Sequence, residues 1–229
     1  MTAEDIFRAE LRGGPDPLDD PHRARRIAAA AAAALGAQGA SISVLVAQVR
    51  VPFGGSDAEA AHAESIQFSE GEGPCIEAIS TNARVDAPAA ELTRKWPELA
   101  RRWRAETSFR SAFSEPVRAD GVVGALNVYL THPEGRGRLS DATVETIGDL
   151  VSAQLRSDLY ASADTPDMLR RSMVWVALGV LRERHGLSSN EALERARADA
   201  RQAGRTLDEY AEQLISGSDT SRAWDDDAG

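Results

Sequence analysis

Cysteine is almost absent from this sequence, with Cys75 the single example in 229 residues. One thiol cannot form a disulfide within the chain, so stability has to come from an apolar core. Histidine is scarce too, and its four copies are scattered without the spacing of a metal site. The sequence therefore predicts no disulfide, no bound metal and no cofactor.

Long apolar runs are also missing. No stretch approaches the roughly 18 residues that a membrane-spanning helix needs. The first ten residues, MTAEDIFRAE, have neither the basic start nor the apolar run of a secretory signal. These absences predict a cytoplasmic protein without a membrane partner.

Catalytic motifs are the third absence. The sequence contains no GxxxxGK[ST] loop, GxGxxG turn, HExxH helix or GxSxG elbow. Cys75 has no second thiol to resolve an oxidised intermediate, and a buried structural cysteine is the favoured interpretation. We therefore predict that the chain is not an enzyme and has no catalytic residues.

The composition that remains is globular, with 42% apolar and 27% charged residues. The length suits a domain of roughly 150 residues with a small second domain. A net charge of -10 argues against indiscriminate nucleic-acid binding, because an acidic surface repels phosphates. Any RNA site therefore has to be local.

The first two thirds of the chain alternate between strand and helix patterns. Residues 1–20, rich in Gly, Pro and Asp, are interpreted as a loosely packed N-terminal arm. A helix is predicted over 22–36, and one strand pair follows it. A second pair surrounds the turn at 119–121, and short helices are predicted between the pairs. Two hairpins flanked by helices indicate an α+β domain over residues 21–160.

A long helix is predicted after the N-cap residue Ser140, with an apolar stripe along one side. Such a stripe either covers the sheet or pairs with a second subunit, and we favour the sheet. The stripe consists of Val144, Ile147, Val151 and Leu155.

Residues 165–216 form a separate helical pattern. Ser188 with Glu191 and Thr206 with Glu209 have the spacing of two capping boxes, which open the second and third of three helices. The chain then ends in an acidic tail, residues 217–229, for which solvation is the favoured interpretation.

The helical region contains four distinctive motifs, Ala177-x-Gly179-Val180-Leu181, Arg184-His185-Gly186, Glu191-Ala192-Leu193 and Arg205-Thr206-Leu207 followed by Ala211. With these motifs the region resembles the ANTAR domain, a three-helix module that binds RNA in transcription antitermination. The resemblance implies an RNA stem-loop partner and a regulator that acts as a homodimer.

The preceding region contains three further motifs, Gly71-Glu72-Gly73-Pro74-Cys75 with Ala78, Trp96-Pro97 and Gly124-Ala125-Leu126-Asn127-Val128-Tyr129. With these motifs the region resembles the GAF domain. The resemblance implies a five- or six-stranded antiparallel sheet with helices on its faces, and a sensor for an unknown small molecule. By family position, Trp96, Phe109 and Phe113 are candidate pocket residues.

One position departs from the ANTAR pattern, since Leu178 stands where the family has a lysine. On a helical wheel Leu178 and Trp175 face away from the predicted core face, which consists of Leu169, Met173, Val176, Ala177, Val180 and Leu181. They either pack on protein, the favoured alternative, or Trp175 stacks on an unpaired base. The candidate RNA-binding residues are Arg171, Trp175, Arg182, Arg184, Arg197, Arg201 and Arg205.

Three functions compete. The first is a signal-responsive antitermination regulator that binds stem-loop RNA. The second is a sensor or scaffold dimer whose ANTAR domain contacts protein, which the leucine at position 178 and the net charge favour. The third is a DNA-binding regulator, although the predicted last helix is acidic.

Overall fold

A computed structural model describes residues 1–12, 22–46, 49–119, 122–137, 139–158 and 166–216. The chain divides into two compact units, residues 1–168 and 169–229. The predicted turn at 119–121, the boundary before residue 165 and the acidic tail lie wholly or partly outside the described residues.

The first unit is built on a five-stranded antiparallel sheet with strand order β2-β1-β5-β4-β3. This confirms the predicted α+β domain with a GAF-like sheet. Both predicted hairpins are present, and they pair through β1 and β5 in the middle of the sheet. The strands are β1 (Gly39–Val46), β2 (Val49–Gly55), β3 (Val85–Ala87), β4 (Ser111–Ala119) and β5 (Val122–Leu130).

Three helices cover one face of the sheet: α1 (Ala3–Leu11), α2 (Arg23–Ala34) and α7 (Asp141–Asp158). Side chains alternate across a strand, so Ile42 and Leu126 point to this face and join its core. The apolar stripe of α7 is buried in the same core. The stripe therefore packs within the chain, and a homodimer stays a prediction that needs another surface.

The prediction of a loosely packed arm over residues 1–20 is wrong for residues 3–11, which form α1. Thr2 and Asp5 form a capping box that begins α1. Phe7 is only 1% exposed and lies in the core with α2 and α7. The glycines and prolines that suggested an arm follow this helix, and residues 13–20 lie outside the described part.

Four helices cover the opposite face, and two of them fix the site described below. Helix α3 ends at Gly71, whose φ of 73° is the left-handed conformation that favours glycine. Gly73 then precedes α4. A Cβ atom added to Gly73 would lie 2.3 Å from the Gln67 Oε1 atom, so only glycine allows Gln67 to approach the backbone this closely. The helices are α3 (Ala58–Glu70), α4 (Pro74–Thr81), α5 (Ala89–Lys95) and α6 (Pro97–Glu106).

The second unit contains α9 (Ser189–Gln202), α10 (Leu207–Ser216) and, from Leu169 onward, α8 (Pro166–His185). The Ser188 box is present in both directions at the start of α9. At α10, Thr206 N–H donates to Glu209 (2.8 Å), and Glu209 N–H donates to Thr206 Oγ1 (3.3 Å). Both predicted capping boxes are therefore confirmed, while their assembly with α8 as an ANTAR bundle stays a prediction.

None of the helices in the described segments combines the length and the apolar character needed to cross a bilayer.

Candidate functional site

A cluster of polar side chains is buried on the sheet face that α3 and α4 cover. Ser41 and Ser43 alternate with the apolar residues of β1, and Asn127 and Tyr129 alternate with those of β5. Glu64 of α3 lies over these four side chains and is 2% exposed. A buried carboxylate is costly unless hydrogen bonds satisfy it, so this arrangement needs explanation.

The Glu64 carboxylate is the acceptor at the centre of the cluster. Tyr129 OH donates to its Oε2 atom at 2.8 Å, and Asn127 Nδ2 donates to the same atom at 3.0 Å. Ser41 Oγ donates at 2.9 Å. The remaining donors to this carboxylate are Gln67 Nε2, Ser43 Oγ and Arg50 Nη1.

Arg50 of β2 supplies the positive charge. It is 6% exposed, and its Nη1 atom pairs with Glu64 and also donates to Ser43 Oγ at 3.1 Å. Its Cζ atom lies 5.3 Å from the centre of the Phe68 ring, a cation–π distance. The Nε and Nη2 atoms are buried with no hydrogen-bond partner in the described part of the chain. Such orphaned donors are rare and point to a missing acceptor.

Cys75 closes the cluster at the start of α4. Its backbone N–H donates to Gln67 Oε1 at 3.1 Å, and Arg50 Nη1 lies 3.7 Å from its sulfur. Burial raises the pKa of the thiol to about 11, because the thiolate would lose its hydration; nearby Arg50 opposes this and Glu64 reinforces it. Burial likewise raises the pKa of Tyr129 well above its usual value. Both groups are therefore neutral donors at neutral pH.

Cys75 is expected to resist thiol reagents in the folded protein. With a thiol pKa of about 11, only roughly one molecule in a thousand carries the reactive thiolate at pH 8. Labelling with Ellman's reagent should reach one thiol per chain in 6 M guanidinium and far less without denaturant. Rapid labelling of the native protein would contradict the buried, protonated state.

The predicted pocket residues fall on both faces of the sheet. Phe109 stacks on Tyr129 with ring centres 5.0 Å apart, and Trp96 belongs to the same apolar cluster. Phe113 belongs to the core on the opposite face, because it precedes Ser114 by one residue on β4 and their side chains alternate. These three aromatic residues therefore cannot line one cavity, and the pocket prediction is corrected for Phe113.

Sequence reasoning missed the buried charges themselves. Two signals were available: serines alternate with apolar residues on the central strand β1, and Arg50 interrupts an apolar strand. Pairing Arg50 with Glu64 required the packing of α3 on the sheet, because helix patterns do not give the partner across a layer.

In the second unit, α8 presents a different face from the predicted one. Val176, predicted in the core, is 52% exposed, whereas Leu178, predicted on the surface, is 4% exposed. The buried residues Val174, Ala177, Leu178 and Leu181 follow i, i+3, i+4, i+7 spacing, so the predicted face was rotated by roughly a quarter turn. Leu178 is therefore not part of an exposed patch.

Among the candidate RNA-binding residues on α8, Trp175 is 37% exposed, and Arg182 and Arg184 are also exposed. They lie within three turns of one helix. The side chain of Arg171 lies outside the described part. Arg182, seven residues on, lies on the same side of α8 as Trp175, whereas Arg184, nine residues on, lies on the opposite side. Trp175 can therefore present an aromatic face to a ligand beside Arg182, which is compatible with base stacking.

The other three candidate arginines are engaged within the second unit. Arg197 is 9% exposed, and its Nη1 atom donates to Glu194 at 2.7 Å. Arg201 Nε donates to the carbonyl of Arg197 at 3.3 Å, and Arg205 donates to Gln213. These contacts leave Arg197 little surface to offer phosphate, and RNA contact by this group stays a prediction.

A sequence profile described as the GAF domain matches residues 20–154. This segment contains every residue of the buried polar cluster. No curated protein sequence matches the chain significantly.

Solved structures similar to this chain include other GAF domains. The GAF domain of a phosphoenolpyruvate-protein phosphotransferase from Coxiella burnetii has 15% identity and a TM-score of 0.50, over 70% of this chain and 96% of that one. The corresponding Acinetobacter domain has 15% identity and a TM-score of 0.48, over 69% and 95%. At 15% identity, the similarity to the Coxiella burnetii domain supports the fold alone.

Proposed function

Since this chain belongs to the GAF domain family, we propose that it is a regulator in which a small molecule bound to the first unit controls the binding of stem-loop RNA by the second. GAF domains commonly bind small-molecule ligands and suggest a signal-sensing role. The RNA output and antitermination rest on the resemblance of residues 174–215 to ANTAR domains.

The observation that carries the sensing role is the orphaned edge of Arg50. Its Nε and Nη2 atoms, which carry three N–H groups, lack acceptors among the described residues, although the hydroxyl and amide donors around Glu64 have one. A buried unsatisfied donor costs about 1–3 kcal/mol, so a site kept in this state gains stability when an acceptor arrives. That gain favours ligand binding, and the ligand acts as a signal when it binds one state of the protein more tightly than the other.

The RNA role is supported by the exposed aromatic and basic residues of α8. A phosphate contact by Arg182, which lies seven residues after Trp175 and on the same side of α8, would position the backbone while Trp175 stacks on an unpaired base. The net charge of -10 confines the basic surface to such a local patch and makes binding strongly dependent on salt.

Replacing Trp175 by alanine is expected to weaken stem-loop RNA binding by about tenfold to a hundredfold, since base stacking contributes about 1–3 kcal/mol per base. The measurement is a gel shift of the full chain at fixed salt with an RNA of two stem-loops. Val176→Ala is the matched control, because Val176 is a more exposed apolar neighbour on the same helix. Equal affinity for wild type and Trp175→Ala would remove the stacking role.

Two further outcomes select the alternatives. Binding of duplex DNA in preference to RNA would support the DNA-binding regulator. Binding of neither nucleic acid, with or without cell metabolites, would support a sensor or scaffold whose second unit contacts protein.

A further inference from the structure

The buried cluster contains more hydrogen-bond donors than acceptors. Six groups donate to Glu64, although a carboxylate offers about four lone-pair positions. The amide oxygens of Gln67 and Asn127 are already engaged, by Cys75 N–H and Ser114 Oγ. An additional ligand in this cluster is therefore favoured when it supplies acceptors.

The orphaned atoms of Arg50 define the shape of that ligand. Nε–H and the N–H of Nη2 on the Nε side lie nearly parallel on one edge of the planar guanidinium. This edge matches the two oxygens of a carboxylate. The opposite end is occupied, because Nη1 pairs with Glu64. The Phe68 ring lies near the guanidinium at cation–π distance and restricts its plane.

We propose that the free edge of Arg50 binds the carboxylate group of a small organic acid. This proposal rests on the proposed sensing function and gives the chemical class of the signal. A planar carboxylate with a single negative charge accepts one hydrogen bond from each of the two atoms, Nε and Nη2. A doubly charged phosphate would bring more charge into a site where Glu64 already balances Arg50, and burying excess charge is costly.

Glu64 positions Arg50 and also competes for its charge. The ligand can approach from the side of β2, an outer strand of the described sheet, whose opening disturbs fewer neighbours than that of a central strand. Removing the Glu64 charge should therefore strengthen carboxylate binding, whereas removing the guanidinium fork should weaken it. A purely structural ion pair predicts no such opposite effects on ligand affinity.

The test uses formate, the smallest carboxylate, as probe. Binding of 13C-formate to the full chain is measured by NMR relaxation at constant ionic strength and pH. The wild type should show saturable binding; Arg50→Lys should weaken it at least tenfold, and Glu64→Gln should strengthen it by a similar factor. Arg94→Lys is the control, since Arg94 pairs with Glu91 on the exposed surface of α5.

The remaining outcomes are decisive as well. The proposal is overturned if the wild type shows no saturable formate binding, or if wild type and Arg50→Lys bind formate with equal affinity. It is also overturned if sulfate competes with formate as well as acetate does. If Glu64→Gln is too unstable for the NMR measurement, its melting temperature is measured instead: a saturable rise with formate, absent with chloride, supports the proposal, and no rise opposes it. Formate binding is measured in the absence of RNA. A protein that fails to bind formate but still shifts the RNA would therefore contradict this inference without contradicting the proposed RNA binding.

Discussion

Replacing Glu64 by alanine is expected to lower the free energy of unfolding of the first unit by about 3–5 kcal/mol, because the change leaves the Arg50 charge buried and unpaired. Hydroxyl and amide donors on β1 and β5 lose their acceptor in the same step. Guanidinium unfolding followed by tryptophan fluorescence and by circular dichroism measures the change.

Glu98→Ala provides the matched control for that experiment. Glu98 pairs with Arg101 on the exposed surface of α6, and exposed ion pairs contribute about 0–1 kcal/mol. A loss for Glu64→Ala no larger than the loss for Glu98→Ala would show that the buried carboxylate is not the centre of the cluster.

A double variant separates the ion pair from the rest of the cluster. Arg50→Met with Glu64→Leu removes both charges together, so it should lose less stability than the sum of the two single variants. The difference between that sum and the loss measured for the double variant is the coupling free energy between the two charges. Any loss that remains reports the serine, asparagine and tyrosine donors left without an acceptor.

The sequence predicted the parts of the fold that local patterns determine. The sequence predicts helix starts at Ser140, Ser188 and Thr206, and each hydroxyl accepts a hydrogen bond from the backbone of the first turn. The apolar stripe of α7 was likewise predicted on the correct side. Such features depend on residues three or four positions apart, which the sequence displays directly.

Other features required information from distant residues. The strand β3 and the helix α5 are too short to give a periodic pattern, and β3 exists because β4 supplies its pairing edge. The core face of α8 was rotated because small and apolar residues surround much of that helix, so several stripes fit the sequence equally well. Burial then depended on the neighbours of the helix rather than on its own pattern.

The candidate site shows the same limit. Arg50 and Glu64 belong to a strand and a helix separated by a turn, and Tyr129 joins them from a strand 65 residues beyond Glu64. Each is unremarkable in its own segment. The arginine of β2 and the glutamate of α3 become a buried pair only because α3 packs on the sheet, and this packing leaves one edge of the guanidinium without an acceptor among the described residues.

Phe7→Ala tests the largest feature that the sequence analysis missed, and it is expected to destabilise the first unit by about 3–5 kcal/mol. Phe7 is 1% exposed and lies in the core that α2 and α7 share. The variant leaves a cavity on that face of the sheet, because the short helix α1 alone cannot rebuild the lost contacts. Chemical denaturation measures the loss, with Glu10→Ala on the exposed side of α1 as control, for which the expected change is within about 0.5 kcal/mol. A loss below about 1 kcal/mol for Phe7→Ala would restore the interpretation of residues 1–20 as a loosely packed arm; the larger loss makes α1 part of the domain that holds the Arg50 cluster.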